Sequence, residues 1–306
     1  MAVLAKAGCN MGTCHGNANG KGGFKISLRG ESPAGDWKVI ARNELSRRLN
    51  LIEPDESLLL KKATAQIPHE GRRRFEVDSW EYRILRQWIA EGAKNDTGQA
   101  PELTALEVAP TQRTLYAPDN QIQITAKARF ADGSERDVTS QAVYETSNNL
   151  LEVTPLGQVT FNKPGETTVL VRFLNRQEPV RLAFVPERVD FAWSPPTTQG
   201  MIDTMIFGKL QKLRINPSPL ADDTVFMRRA YLDLIGLLPT ENEAREFVTD
   251  SDPAKRKKLV NRLMEREEFA EFWALKWADL LNVEVRTLDP KGVQLFHGWI
   301  RDRIAD

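Results

Sequence analysis

The spacing of apolar residues changes period twice along this chain, and one kind of secondary structure cannot satisfy both periods. After Asp78, the residues Ile84, Leu85, Trp88 and Ile89 fall on one helical face. Asp78 and Glu81 have capping-box spacing there, and Gly92 is placed to close the helix. From Ile122 the pattern alternates instead. Ile122, Ile124, Ala126, Ala128 and Phe130 are separated by polar residues, as in a half-buried strand, and Asp132-Gly133 follows as a turn. Beyond Pro195-Pro196, the residues Ile202, Met205, Ile206, Leu210 and Leu213 return to helical spacing. A chain of 306 residues also suits more than one core. The expectation is a multidomain protein: an all-α domain over 1–98, a β-sandwich over 99–188 and an all-α helical domain over 189–306.

Finer signals fill in the three segments. Four glycines and two asparagines between Gly16 and Gly23 make a loop, and short helical turns are expected around Leu45–Leu51 and Ser57–Lys62. Strand candidates are Leu103–Val108, Ala142–Thr146, Leu151–Thr154, Gly157–Phe161 and Thr167–Leu174, a density that suits two packed sheets. In the last segment Thr240 and Glu243 form a capping box, and Pro253 suits a first helical turn. Phe269, Phe272, Trp273, Trp277 and Leu280 make an aromatic stripe that reads as core. Arg228, Arg229 and Asp233 read as a salt bridge tying helices together, and His297 as a packing or surface residue.

Composition removes some functions. Lysine plus arginine (42) equals aspartate plus glutamate (42), so no global field favours nucleic acid. No apolar run approaches the roughly 18–20 residues that a membrane-spanning helix needs. The opening Met-Ala-Val-Leu-Ala-Lys-Ala-Gly is too short in its apolar part for a secretory signal. Either the protein stays inside the cell or a natural leader has been removed. The final Ile-Ala-Asp interrupts an amphipathic pattern, so a fragment of something longer is expected.

Chemistry concentrates at one place. The only two cysteines, Cys9 and Cys14, lie within Gly-Cys-Asn-Met-Gly-Thr-Cys-His-Gly, with His15 directly after the second. Covalent haem attachment needs two thiols for the two vinyl groups and an adjacent histidine turned to the iron. The spacer here is four residues where two are usual, and Gly12 could let the extra pair bulge outward. Three other readings stand beside this one: a Cys9–Cys14 disulfide, a zinc site recruiting Cys9, Cys14, His15 and His69, and two unmodified thiols. If haem is held, His15 is the proximal metal ligand and His69, in Ile-Pro-His-Glu-Gly, is the candidate distal one. Met11 on the spacer faces the wrong side. Arg72, Arg73 and Arg74 follow, either as a solvated run or as partners of haem propionates.

At these residues the sequence resembles a known family. The cysteine–histidine stretch, then Gly-Lys-Gly-Gly-Phe-Lys-Ile-Ser-Leu-Arg-Gly, Ile-Pro-His-Glu-Gly and Glu-Tyr-Arg-Ile-Leu-Arg-Gln-Trp-Ile-Ala-Glu-Gly-Ala, is similar to the planctomycete-type cytochrome c domain. Phe-Ala-Asp-Gly-Ser-Glu-Arg-Asp-Val-Thr, Gly-Gln-Val-Thr and Pro-Gly-Glu-Thr-Thr-Val resemble bacterial group 2 immunoglobulin-like domains, from Leu103 to about Phe184. The stretch from Arg228 through Asp233 and Gly236 to Thr240, with Phe269 to Asp279, resembles an uncharacterised helical domain that accompanies such cytochromes. The resemblance implies an all-α cytochrome c-like domain, an immunoglobulin-like sandwich and a helical domain in a larger exported protein. It also implies one covalent haem c per chain, a periplasmic or cell-surface location and a histidine in the distal position, but no known reaction.

The leading expectation is an electron carrier serving a redox partner protein or a fused downstream domain. Two alternatives are a surface module binding glycan or protein, and part of a polysaccharide-active redox enzyme whose catalytic part lies outside this chain. The helical segment offers no nucleophile–base pair, phosphate loop or metal motif.

Overall fold

Turns outnumber helices in the first segment because glycine and asparagine interrupt each apolar run. The computed structural model, which describes residues 1–197 and 200–306, forms α1 (Ala2–Lys6), α2 (Pro33–Ala41), α3 (Leu58–Ala63) and α4 (Trp80–Ala90) there. Inward side chains such as Leu4, Ile40, Leu60, Tyr82 and Ile89 share one core. The cap of α4 is Ser79, whose hydroxyl accepts from the Tyr82 amide, one residue later than the expected Asp78. Asp78 itself takes φ 63°, a turn conformation. Tyr82, Leu85 and Ile89 form the buried face of α4, which leaves Ile84 outside the core at 49% exposed.

Ten short extended stretches follow between residues 103 and 185. They are β1 (Leu103–Ala109), β2 (Gln112–Tyr116), β3 (Gln121–Gln123), β4 (Thr125–Phe130) and β5 (Glu135–Asp137), then β6 (Val143–Thr146), β7 (Leu151–Val153), β8 (Gln158–Phe161), β9 (Gly165–Phe173) and β10 (Arg176–Val185). They pair as β1-β4-β5, β2-β10-β9-β6 and β3-β8-β7. Pairing is antiparallel except where β2 runs parallel to β10. Ala126, Ala128, Val159, Val169, Val171 and Val180 bring all three sheets to a single core. The alternating run from Ile122 to Phe130 divides at fully buried Ile124, so that its two halves serve different sheets.

Helix α1 belongs to both cores. Val3, Leu4 and Ala7 pack in the first, while Ala2 packs against the β core. Lys6 Nζ donates to the carbonyls of Ala142 (2.5 Å) and Pro155 (2.6 Å), and it lies 5.1 Å from the centre of the Tyr144 ring. Burial lowers the Lys6 amine to about 8 from an ordinary 10.5. Between those values the unfolded chain binds the proton and the folded chain does not, so this residue makes folding more favourable as pH rises. The unfolding free energy of the wild type, measured against Lys6→Met, is therefore expected to improve from pH 8 to 10.5. A flat difference across that window would refute the assignment.

Contacts group the chain into two units, Met1–Pro217 and Ser218–Asp306. The first includes α5 (Met201–Lys212), which receives a hydrogen bond from the Tyr116 hydroxyl at the Lys212 carbonyl (2.8 Å) and pairs Lys209 with Glu166 (3.0 Å). The stripe expected to bury this helix stays in solvent: Ile202 and Met205 are exposed, and α5 has no buried residue.

The second unit comprises α6 (Asp223–Ile235), α7 (Glu241–Thr249), α8 (Lys255–Met264), α9 (Glu267–Leu280) and α10 (Pro290–Ala305). Its core gathers Met227, Tyr231, Ile235, Phe247, Leu259 and Leu263. Those positions fix the inner face of α6, so Arg228, Arg229 and Asp233 point outward. Among the described residues they form no ion pair, which corrects the salt bridge expected of them. Asp223 instead pairs with Lys255 (2.8 Å) and Arg256 (2.7 Å), and Arg266 with Glu243 (2.8 Å). The Thr240–Glu243 capping box forms as expected. Trp273 is half-buried and donates to the Leu234 carbonyl (3.2 Å), whereas Trp277 is exposed, so the aromatic stripe is core only in part. His297 is half-buried on α10. No helix among the described residues is long and apolar enough to cross a membrane.

Candidate functional site

The segment from Gly8 to Gly16 is a run of turns. The His15 amide donates to the Cys9 carbonyl (3.1 Å), and the amides of Cys14 and Gly16 both donate to the Met11 carbonyl (2.9 and 3.0 Å). The four-residue spacer thus folds back on itself and returns His15 to Cys9. Two glycines make this possible. Gly8 takes φ 73° against the Arg74 guanidinium, and a Cβ on Gly16 would stand 2.2 Å from the Asn10 carbonyl oxygen. Gly12 is not required, since a Cβ there would meet only Leu28, at 4.0 Å.

Cys9, Cys14, His15 and His69 line one cavity of about 380 Å³, together with Arg74. Leu4, Phe24, Ile26, Leu58 and Leu59 make its apolar wall. Residues more than fifty positions apart meet here because Ile26 and α3 pack in the same core. Both cysteines are free thiols, not a disulfide. Burial pushes the Cys9 thiol up to about 11, against the pull of nearby Arg74.

The two imidazoles are nearly parallel, 11° apart, with ring centres 6.3 Å from each other. His15 Nδ1 lies 2.9 Å from the Phe24 carbonyl oxygen, and His69 Nδ1 lies 2.9 Å from that of Arg72. A carbonyl only accepts, so each Nδ1 carries the hydrogen and each Nε2 keeps its lone pair. Burial also holds His15 below the usual histidine range, which favours the neutral ring. Backbone carbonyls commonly fix the tautomer of metal-binding histidines in this way.

The arginine run divides. Arg74 faces the cavity, its Nε donating to the Ala7 carbonyl (2.6 Å). Arg72 is exposed and Arg73 pairs with Glu76 (2.9 Å), so neither reaches the cavity, because the chain turns at Arg72 (φ 58°). The cavity draws its other cations from places sequence reading passed over: Lys21, Arg47, Arg48 and Lys62. Arg47 and Arg48 sit in the short turn beside Leu45, where no spacing rule singled them out.

Among the described residues, no three Cys, His, Asp or Glu side chains converge as a metal site. A larger cavity of about 720 Å³ lies beside α2 and α4 and is lined by Trp37, Ile84 and Trp88. Its lining includes no cysteine or histidine, whereas Cys9, Cys14, His15 and His69 all line the smaller one.

No curated protein matches the chain. A family model described as "PSCyt2: Protein of unknown function (DUF1549)" matches residues 201–306. The last third of the chain is thus similar to that helical family, and the match does not extend to the cysteine–histidine segment.

Proposed function

We propose that residues 1–98 form a cytochrome c-like domain carrying one covalent haem c, with His15 and His69 as the axial ligands. The protein then serves as an electron-transfer module of a periplasmic or cell-surface multidomain protein. One observation carries this reading: two near-parallel imidazoles 6.3 Å apart, each with Nδ1 tied to a carbonyl and Nε2 left as donor. A metal bonded at about 2.0–2.1 Å to a nitrogen on each side holds two imidazole rings at about this separation. Cys9 and Cys14 on the wall of the same cavity add further support. Their thiols would add across two vinyl double bonds, sulfur to one carbon and hydrogen to the other, so the step needs no oxidant.

Haem supplies a one-electron couple. The residues decide what that couple is for. Two histidine ligands leave no position for oxygen or substrate, which favours electron transfer over catalysis, and histidine in place of methionine sets a lower potential. The β region suits an immunoglobulin-like sandwich, a reading supported by its mainly antiparallel sheets over one core. Binding of glycan or protein at the surface is a second reading, and it draws on the exposed indoles of Trp277 and Trp299.

The test is to express the chain behind an export leader in a host that matures c-type cytochromes. One haem per chain is expected by pyridine haemochrome and intact mass, with a low-spin oxidised spectrum. Cys9→Ser/Cys14→Ser should lose the covalent adduct. A colourless wild-type protein with two titratable thiols would overturn the proposal.

A further inference from the structure

The cavity that holds the two histidines is strongly unbalanced in charge. Lys21, Arg47, Arg48, Lys62 and Arg74 all line it, against one carboxylate, Glu70. Glu70 is already paired with Lys21. The remaining four cations have no carboxylate within ion-pair distance among the described residues. Three of them rest on backbone carbonyls: Arg48 on Val39 (3.1 Å) and Asn43 (3.2 Å), Lys62 on Pro68 (3.0 Å), and Arg74 on Ala7 (2.6 Å). Arg47 forms no ion pair.

Such an arrangement is costly without a counter-charge. Like charges gathered round one cavity repel one another, most where Arg48 and Arg74 are half-buried, and carbonyl oxygens offset only part of that repulsion. Burial holds the proton affinity of Arg48 below its ordinary value; the charge of Glu44 opposes this, and that of Arg47 adds to it by less. Guanidinium groups also present paired N–H donors that match a carboxylate in two bonds. The ligand of this cavity should therefore be apolar over most of its surface and bear acidic groups.

We propose that Arg47, Arg48 and Lys62 in the cavity wall take the two propionates of a porphyrin; Arg74 lies beside Gly8 and Cys9, near the thiols that would hold the opposite, vinyl edge. The identity of the ligand rests on the haem reading, while the need for acidic groups rests on the charge imbalance. The arginines assigned here come from the turn beside Leu45, not from the run Arg72–Arg74.

The test uses the full chain as Cys9→Ser/Cys14→Ser, so that binding is reversible. Ferric protoporphyrin IX and its dimethyl ester, which lacks both charges, are titrated by absorbance. The diacid is expected to bind at least tenfold more tightly than the ester. Adding Arg47→Gln and Lys62→Gln, both at exposed positions, should reduce that ratio to within about twofold, chiefly by weakening the diacid. Equal affinity for diacid and ester in the parent chain would overturn the assignment while leaving the haem reading intact, and would point the cations toward an acidic partner protein. Failure of both porphyrins to bind would overturn the haem reading, and this inference with it.

Discussion

His69→Ala is expected to convert the oxidised, matured protein from a low-spin to a high-spin spectrum. Added imidazole should restore the original bands. If the proposed coordination holds, His69 supplies the ligand opposite His15, the ring it lies beside at 6.3 Å, and its removal would leave one position at the iron open. Affinity for added imidazole or cyanide should rise, since neither would then have to displace a protein ligand. The fold should survive, because His69 is held mainly by a local bond to the Arg72 carbonyl within the same loop. The reduction potential should move as well, since the axial ligand is among the main determinants of it. An unchanged spectrum in the variant would remove His69 from the ligand set and return the distal position to another residue.

Gly16→Ala should cost about 2–3 kcal/mol or more and cut haem incorporation several-fold, whereas Gly12→Ala should be close to neutral. Overpacking a closed site typically costs about 1–3 kcal/mol when side chains yield. Here the obstacle is backbone. The new methyl would overlap the Asn10 carbonyl oxygen, at 2.2 Å, and the adjacent carbonyl carbon, at 2.7 Å. Neither can withdraw easily: the Asn10 carbonyl accepts from the Arg29 amide (3.1 Å), and the Asn10 side chain is buried. Gly16 is itself tied to Met11 through its own amide. At Gly12 the methyl finds room, so a change within about 0.5 kcal/mol is expected, as at ordinary surface positions. Denaturant unfolding and the haem-to-protein ratio measure both variants. Equal tolerance at the two glycines would show that the turn geometry is not what presents the cysteines.

The sequence displayed periodicity well and direction poorly. Alternation revealed β4, β8 and β9, because half their residues face a core. It concealed β10, whose first four residues, Arg-Gln-Glu-Pro, are exposed and read as a turn although the strand lies inside its sheet. The capping box at Thr240 was legible because both partners are local. Ser79 was missed because Asp78 and Ser79 are each competent caps and only the tertiary fit decides between them. At the site, Cys9, Cys14, His15 and His69 could be picked out by residue type. The cationic wall could not, since Arg47, Arg48 and Lys62 join it only once the turn beside Leu45 and α3 have packed. The same limit misled the reading of Arg72 and Arg73, which adjoin Arg74 in sequence yet point elsewhere.

Helix α1, five residues long, is a dowel shared by two blocks: Ala2 and Lys6, one turn apart, meet the strand region, while Leu4 between them forms part of the wall beside the histidines. Swinging-arm carriers shuttle by flexing about a linker, and such a joint leaves no hinge at that point. If the proposed haem is held there, a protein exchanging electrons with it would have to come to the cavity, and a receptor gripping the sheets would hold that cavity at a set distance and angle.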